Sequence, residues 1–167
     1  ATAAIWRAAE LALLTAIGHA WTPELAIQYK GMNALDVAAT IHRLLKPDRS
    51  LAECQTIMRE TLIGGFGGEI VAMPGAVELV RRLQGTKPMA VASGSPLVAI
   101  RTALSAVGIL GCFDQVITSE SVARGKPEPD VFLAAAAALN TPAGRCMVFE
   151  DSLIGVRAGG EAGMRVV

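Results

Sequence analysis

The sequence predicts an α/β fold, with an all-helical first half and a parallel sheet covered by helices in the second half. Residues 1 to about 63 show helical periodicity almost throughout, whereas short apolar runs alternate with helical segments from residue 74 onward. Continuously apolar runs that are too short for helices and that alternate with helices are typical of a parallel sheet buried on both faces.

The first half contains four predicted helices, over residues 4–17, 23–29, 34–45 and 51–62. Glycines and prolines separate them where helices commonly begin and end. The glycine-rich residues 64–68 follow. They are similar to a dinucleotide-binding loop, but they precede the first strand, and the third glycine of that motif would fall on Ile70. A flexible hinge between two modules is the better interpretation.

The second half alternates helices with strands. Helices are predicted over residues 74–83, 97–107, 130–139 and 153–162, and strands over residues 89–92, 115–118, 146–149 and 165–167. In a parallel sheet of this kind, ligands bind beyond the carboxyl ends of the strands. The residues that directly follow Ala92, Thr118 and Phe149 are therefore the candidates for a functional site.

Composition and charge exclude several classes of function. The 167 residues carry 15 basic and 15 acidic side chains, and only 4% are aromatic, so neither nucleic acid nor an anionic membrane surface is an expected partner. The longest apolar run ends at Asn140, well short of the ~20 residues of a membrane span. Three widely spaced cysteines form no disulfide framework, and no signal peptide is recognisable, so we expect a cytoplasmic protein.

The first candidate segment is Ser93-Gly94-Ser95-Pro96. A hydroxyl at the end of a strand, a glycine whose N–H a ligand can approach closely, and a helix N-terminus together make an anion-binding site. The alternative is an ordinary strand-to-helix turn, with Ser95 as the helix cap and Pro96 in the first turn.

The second segment is Gly-Lys-Pro-Glu-Pro-Asp at residues 125–130. Two prolines stiffen the backbone around Lys126, and a lysine on a rigid loop is suited to neutralising a phosphate. The alternative is a surface turn with a solvated lysine, which is the ordinary environment of this residue type.

The third segment places Glu150 and Asp151 at the end of a strand. Adjacent carboxylates there repel each other unless a cation or hydrogen-bond donors stabilise them, and oxygen ligands of this kind favour Mg²⁺. The alternative is a helix cap provided by Asp151 or Ser152. Because the three segments follow three strands of one predicted sheet, we expect them to form one site for a phosphate group and a magnesium ion.

These segments, together with Gly155 and the Ala-Gly-Met ending at residues 162–164, resemble motifs two, three and four of the haloacid dehalogenase (HAD) superfamily. The similarity is closest to its phosphatase and β-phosphoglucomutase-like branch and covers essentially the whole chain. It implies a helical cap domain over residues 1–68, inserted into a Rossmann-like parallel-sheet core over residues 69–167.

The resemblance implies a Mg²⁺-dependent phosphatase that works through an aspartyl-phosphate intermediate. Ser93 and the N–H of Gly94 would hold phosphate oxygens, and Lys126 would offset charge between the nucleophile and the phosphate dianion. Asp151 would bind Mg²⁺ directly, with Glu150 binding the ion or its waters.

One motif of the family is absent. No Asp-x-Asp occurs in the sequence, although the family places its nucleophile and general acid in an Asp-x-Asp-Gly-Thr motif after the first core strand. Alignment of the first helix with that of the family cap would place this motif upstream of residue 1. We therefore expect the natural protein to have further sequence before residue 1 and after Val167.

Two alternative functions stand beside the phosphatase. The resemblance implies that a β-phosphoglucomutase-like phosphotransferase would carry an arginine at the position of Ala34 and a histidine at that of Thr2, so a phosphatase is favoured. We expect its substrate to be a small phosphorylated metabolite, a sugar or sugar-acid phosphate. Lys30 is a candidate substrate contact, with a solvated helix-end lysine as the alternative. A non-catalytic phosphate-binding protein is the remaining possibility, and a monomer or a homodimer is expected.

Overall fold

The computed structural model describes residues 2–167, which form eight α-helices and four β-strands. The first half contains helices only: α1 (Ala3–Ala16), α2 (Pro23–Ile27), α3 (Ala34–Leu45) and α4 (Leu51–Gly65). In the second half helices and strands alternate: α5 (Ala76–Leu83), β1 (Ala90–Ser93), α6 (Leu97–Ala106), β2 (Gln115–Thr118), α7 (Asp130–Ala138), β3 (Met147–Val148), α8 (Leu153–Glu161) and β4 (Arg165–Val166).

The helices of the first half begin at side chains that satisfy their free backbone N–H groups. The Asn33 side chain accepts a hydrogen bond from the N–H of Asp36 at the start of α3. Ser50 and Glu53 form a reciprocal capping box at the start of α4. Helix α4 packs against both α1 and α3, and their apolar faces bury one core. Its largest fully buried side chains are Leu13, Leu14, Tyr29, Ile41, Met58 and Leu62.

The strands pair in parallel, as the alternation of apolar runs and helices predicts. Ser93 at the end of β1 lies opposite Thr118 at the end of β2, and Val148 of β3 lies opposite Val166 of β4. Within residues 2–167 these are two separate two-stranded sheets. The family resemblance implies that the first core strand, which would precede residue 1, lies between the strands that carry Ser93 and Glu150. This concerns sequence beyond the described residues and stays a prediction.

A second core joins the two sheets. Helix α7 contacts β1 and β2 through one face and also contacts α8. Val131 and Phe132 of α7 are buried with Val148 and Ala158. Gly159 permits α8 to lie close to its sheet, because a Cβ atom there would be 2.8 Å from the Val166 side chain. The carboxyl ends of β1, β2 and β3 are thereby held around the start of α7 and α8.

Most predicted elements end within two residues of the observed ones, with two corrections. Helix α4 continues to Gly65, so the first two residues of the predicted glycine-rich hinge are helical. The strand predicted over residues 146–149 is limited to Met147–Val148. The division into domains at residue 68 stays a prediction. Across that boundary, Ala99 of α6 packs into the hydrophobic core of the first half. No helix within residues 2–167 is both long and apolar enough to cross a membrane.

Candidate active site

The turn after β1 contains the predicted Ser93-Gly94 segment. The Ser93 hydroxyl accepts a hydrogen bond from the N–H of Ser95 at 3.1 Å, so the side chain closes its own turn. The prediction that Ser95 caps the next helix is wrong: Pro96 occupies the cap position, and α6 begins at Leu97. Gly94 lies close to the start of α3, because a Cβ atom there would be only 3.3 Å from the Cα atom of Asn33.

Lys126 is buried, with 8% of its surface exposed. Its Nζ atom lies 3.4 Å from the carbonyl oxygen of Ala92 in β1 and 2.5 Å from Oε2 of Glu150, which follows β3. The ammonium group also lies 4.7 Å from the centre of the Phe132 ring. A solvated surface lysine does not fit this environment. The side chain instead connects the carboxyl ends of two strands that belong to separate sheets.

Glu150 is held on both carboxylate oxygens. Oε2 accepts from Lys126, and Oε1 accepts from the backbone N–H and the hydroxyl of Ser152 at 3.1 and 2.9 Å. Burial by itself would raise the pKa of Glu150, but the hydrogen bond and charge of Lys126 and the two hydrogen bonds from Ser152 outweigh it and lower the pKa below its ordinary value. The carboxylate is therefore a fixed negative charge beside the Lys126 ammonium.

Gly155 makes room for this carboxylate. It lies in the first turn of α8, where its N–H donates to the Ser152 hydroxyl at 3.1 Å. A Cβ atom at this position would overlap the Glu150 side chain. The glycine is thus required by the close approach of Glu150 to the helix rather than by an unusual backbone conformation.

Asp151 has a different environment from its neighbour. It is exposed, and it has neither a hydrogen bond nor an ion pair within the described residues. Of the two predicted caps for α8, the structure uses Ser152. Asp151 is consequently free to bind a ligand.

The donor set fits Mg²⁺ at Asp151. Within residues 2–167 no three His, Cys, Asp or Glu side chains are grouped as a metal site. Mg²⁺ keeps several waters and needs only one or two protein carboxylates, so an exposed aspartate is a suitable ligand. Both oxygens of Glu150 already accept hydrogen bonds, which suits a carboxylate that holds the waters of the ion better than one that binds it directly. The metal roles of both residues stay predictions.

Lys30 lies in the turn before α3 and is exposed. The next residue, Gly31, has a φ of +88°, which favours glycine, and a Cβ atom there would be 2.7 Å from the Ile154 side chain. This turn therefore packs on the start of α8, near Ser152. The arrangement brings Lys30 to the same side of the molecule as the third segment, and its substrate role stays a prediction.

A cleft of about 650 Å³ lies between the helices of the first half and the strand ends. Lys126 and Gly94 line it on the side of the strands, and α3 lines it on the opposite side. The sequence-based analysis missed the side chains that α3, α4 and the segment after β2 contribute to this cleft. They are Asn33, Asp36, Thr40, Arg43, Arg59 and Glu120. Asn33 and Asp36 have the spacing of a helix cap, but that signal does not indicate which side of the helix faces a ligand.

Comparisons with known proteins agree with these features. A family model described as a haloacid dehalogenase-like hydrolase matches residues 2–163. The bifunctional riboflavin kinase/FMN phosphatase of Arabidopsis thaliana is 41% identical over 101 residues, which are 59% of this chain and 27% of that protein. The fructose-1-phosphate phosphatase YqaB of Escherichia coli is 36% identical over 91 residues, 54% of this chain and 48% of that protein. The chain thus spans between a quarter and a half of these curated relatives.

Among solved structures, CbbY from Rhodobacter sphaeroides in complex with phosphate is similar over 99% of this chain and 78% of its own, with a TM-score of 0.85 and 27% sequence identity. This likeness and the parallel strands confirm the predicted fold class.

Proposed function

Because this chain belongs to the haloacid dehalogenase-like hydrolase family, we propose that its cleft is the active site of a Mg²⁺-dependent phosphatase. The substrate is a small phosphorylated metabolite, a sugar or sugar-acid phosphate, and the reaction runs through an aspartyl-phosphate intermediate. The two curated relatives described above have phosphatase in their names, which supports this class of reaction.

The observation that carries the proposal is the buried ammonium group of Lys126 at the carboxyl end of β1. A phosphate ester is an anion, and an anionic nucleophile approaches it only where positive charge offsets the repulsion. A lysine in a partly dry site does this more effectively than one in water, because the local dielectric is lower. Its three N–H donors allow it to retain Glu150 while it binds a phosphate oxygen.

The remaining residues act on the same phosphate group. Ser93 and the N–H of Gly94 bind phosphate oxygens, which requires the Ser93 hydroxyl to donate while it keeps accepting from Ser95. Asp151 holds Mg²⁺, and Glu150 accepts hydrogen bonds from its waters. When bound, the ion polarises the phosphoryl oxygen as a Lewis acid. The family resemblance assigns the nucleophile to an Asp-x-Asp motif that these 167 residues do not contain.

The test is release of inorganic phosphate by the full-length protein from a panel of sugar and sugar-acid phosphates, with Mg²⁺ and with a chelator. We expect Mg²⁺-dependent hydrolysis that Asp151→Asn abolishes without lowering the melting temperature, because this side chain has no partner within the described part of the chain whose loss would destabilise the fold. Asp48→Asn is the matched control, since Asp48 is also an exposed aspartate without a partner within residues 2–167. It should keep full activity.

Two results would contradict the proposal. One is hydrolysis that is equally fast in the chelator, which would exclude the role of Mg²⁺. The other is conversion of a sugar monophosphate into its isomer without release of phosphate, which would indicate a phosphotransferase. Wild-type turnover of the Asp151→Asn variant would agree with a phosphatase activity but would contradict the role of Asp151 in binding Mg²⁺.

A further inference from the structure

The cationic side chains that line the cleft differ in whether they have partners. Lys126 is paired with Glu150, and Arg59 of α4 lies 3.3 Å from Glu120. Arg124 lies 3.0 Å from a carboxylate oxygen of Glu128 and 3.0 Å from one of Asp130. The fourth cation of the lining is Arg43, which has neither a hydrogen bond nor an ion pair within residues 2–167. A guanidinium group stays charged at any ordinary pH, so Arg43 adds an unpaired positive charge to the cleft.

The position of Arg43 along α3 relates it to the phosphate site. Asp36, Thr40 and Arg43 are spaced four and then three residues apart, which places them on one face of the helix, and all three line the cleft. Asp36 lies at the inner end of this face. A Cβ atom at Gly125, the residue before Lys126, would be 3.2 Å from Oδ2 of Asp36.

Arg43 lies at the outer end of the same face. At the rise of an α-helix its Cα atom is about 10 Å along the axis from that of Asp36. Asp36 accepts a hydrogen bond from the Asn33 side-chain amide at 2.6 Å and has no ion pair within the described residues. The cleft therefore has the Lys126 ammonium group at its inner end and the Arg43 guanidinium group at its outer end. Between them, the Asp36 carboxylate and the Thr40 hydroxyl are suited to bind hydroxyl groups.

We propose that Arg43 binds a carboxylate at the end of the substrate remote from its phosphoryl group. The substrates are then phosphorylated sugar acids rather than neutral sugar phosphates, an inference that rests on the proposed phosphatase function. A guanidinium group binds a carboxylate through two parallel hydrogen bonds. A carboxylate carries a single charge that one guanidinium group can match. A second phosphate dianion would need a further cation, but the other three cations of the lining already have carboxylate partners, and the Asp36 carboxylate on the same helix face would repel a dianion more strongly.

The experiment compares ligands that differ only at the remote end. Phosphorylated aldonic acids of four to six carbons are paired with alditol phosphates of the same length, for example 6-phosphogluconate with glucitol 6-phosphate. Alditol bisphosphates form a third arm. The full-length protein is assayed for kcat/KM, and its dissociation constants are measured by calorimetry, which does not require turnover.

We expect the best acid to exceed its matched alditol phosphate by about tenfold or more in kcat/KM, the ratio typical of one charge-assisted hydrogen-bonded pair. Arg43→Ala should lower kcat/KM and affinity for the acid by the same factor and change those for the alditol phosphate by less than about twofold. Arg43→Lys should recover part of the difference. Arg101→Ala, which removes an exposed arginine without a partner in the described chain and outside the cleft, is the control and should change neither ligand.

The outcomes separate this inference from the phosphatase proposal. Equal affinity for acid and alditol phosphate at every length, or an equal loss of both in Arg43→Ala, overturns the role of Arg43 even if phosphate is released. A larger preference for the bisphosphates than for the acids overturns the choice of a carboxylate. Binding of the acid that depends on Arg43, without any turnover, supports this inference and contradicts the proposed reaction.

Discussion

The Nζ atom of Lys126 and the Oε2 atom of Glu150 are 2.5 Å apart, and their side chains are 9% and 10% exposed. The two residues are 24 positions apart in sequence and follow different strands, β2 and β3. Two charges removed from water are stable only while each compensates the other. The position of the lysine, and with it the positive charge offered to a phosphate, therefore depends on Glu150.

Removal of one partner tests this dependence. Lys126→Met should lower the free energy of unfolding by about 3 kcal/mol, because Glu150 would remain as a buried charge without a cation. The double variant with Glu150→Gln should lose less than the sum of the two single variants. Urea unfolding monitored by circular dichroism measures all three values.

Arg157 and Glu161 provide the control pair. They lie 2.8 Å apart on α8, but their side chains are 67% and 42% exposed. Because water screens such a pair, Arg157→Ala should leave the free energy of unfolding nearly unchanged. A Lys126 variant as stable as this control would contradict the role of the buried pair.

The acid dependence of stability should reveal the same interaction. The pKa of Glu150 is lowered from its ordinary value of 4.5, so the folded state binds this proton less readily than the unfolded chain does. The stabilisation is complete above that ordinary value and is lost as the pH falls through the folded pKa. The difference in the free energy of unfolding between the wild type and Glu150→Gln should therefore become smaller as the pH is lowered from 5. A difference that stays constant over this range would contradict the shift.

Two glycines of α8 provide a matched pair of substitutions. A Cβ atom at Gly155 would overlap the Glu150 carboxylate, whereas one at Gly160 would meet nothing within 4 Å. Gly155→Ala should destabilise the fold by about 1 to 3 kcal/mol and reduce phosphate release, because Glu150 must move away from Lys126. Gly160→Ala should be neutral or stabilising by up to about 1 kcal/mol.

Thermal melts and phosphate assays of both variants check this prediction. In a Glu150→Ala background, Gly155→Ala should lower the free energy of unfolding by less than it does in the wild type, since the side chain with which the new methyl group collides is absent. An equal loss in both backgrounds would show that the collision is not the cause.

Tyr29, the one tyrosine of the sequence, should report on the core of the helical half. Burial, followed by the charge of Glu10, raises its pKa from 10.0 to about 12. The stabilisation is complete below the unfolded value of 10 and is lost as the pH rises through 12, because the unfolded tyrosine ionises first. The loss should reach about 2 to 3 kcal/mol, and absorbance at alkaline pH should show phenolate formation near 12.

Tyr29→Phe serves as the control in this titration. It removes the group that ionises and keeps the aromatic ring in the core, so the decline of stability between pH 10 and 12 should become shallower than in the wild type. Ionisation of the wild-type tyrosine at its ordinary pKa would contradict the buried position of the hydroxyl.

Much of the fold could be predicted because its signals are local. The helix over residues 34–45 and the strand over residues 115–118 have the predicted bounds, since capping residues and apolar periodicity lie within the elements themselves. One exception depends on packing between helices instead. Helix α4 continues into Gly64 and Gly65 because the packing of α1 against α4 supplies the stability that glycine lacks.

The motif positions at Ser93, Lys126 and Glu150 could also be read from the chain, because the carboxyl ends of parallel strands face one side of a sheet. The partners of these residues could not be predicted, because they depend on contacts between distant segments. Such contacts bury Lys126 against Glu150 and place Gly155 beside this carboxylate. They also leave Arg43 as the one cation of the cleft that lacks a partner within the described residues. The amino-acid order specifies which groups are available, whereas the packing of helices on strands sets their neighbours, and with them burial, charge and reach.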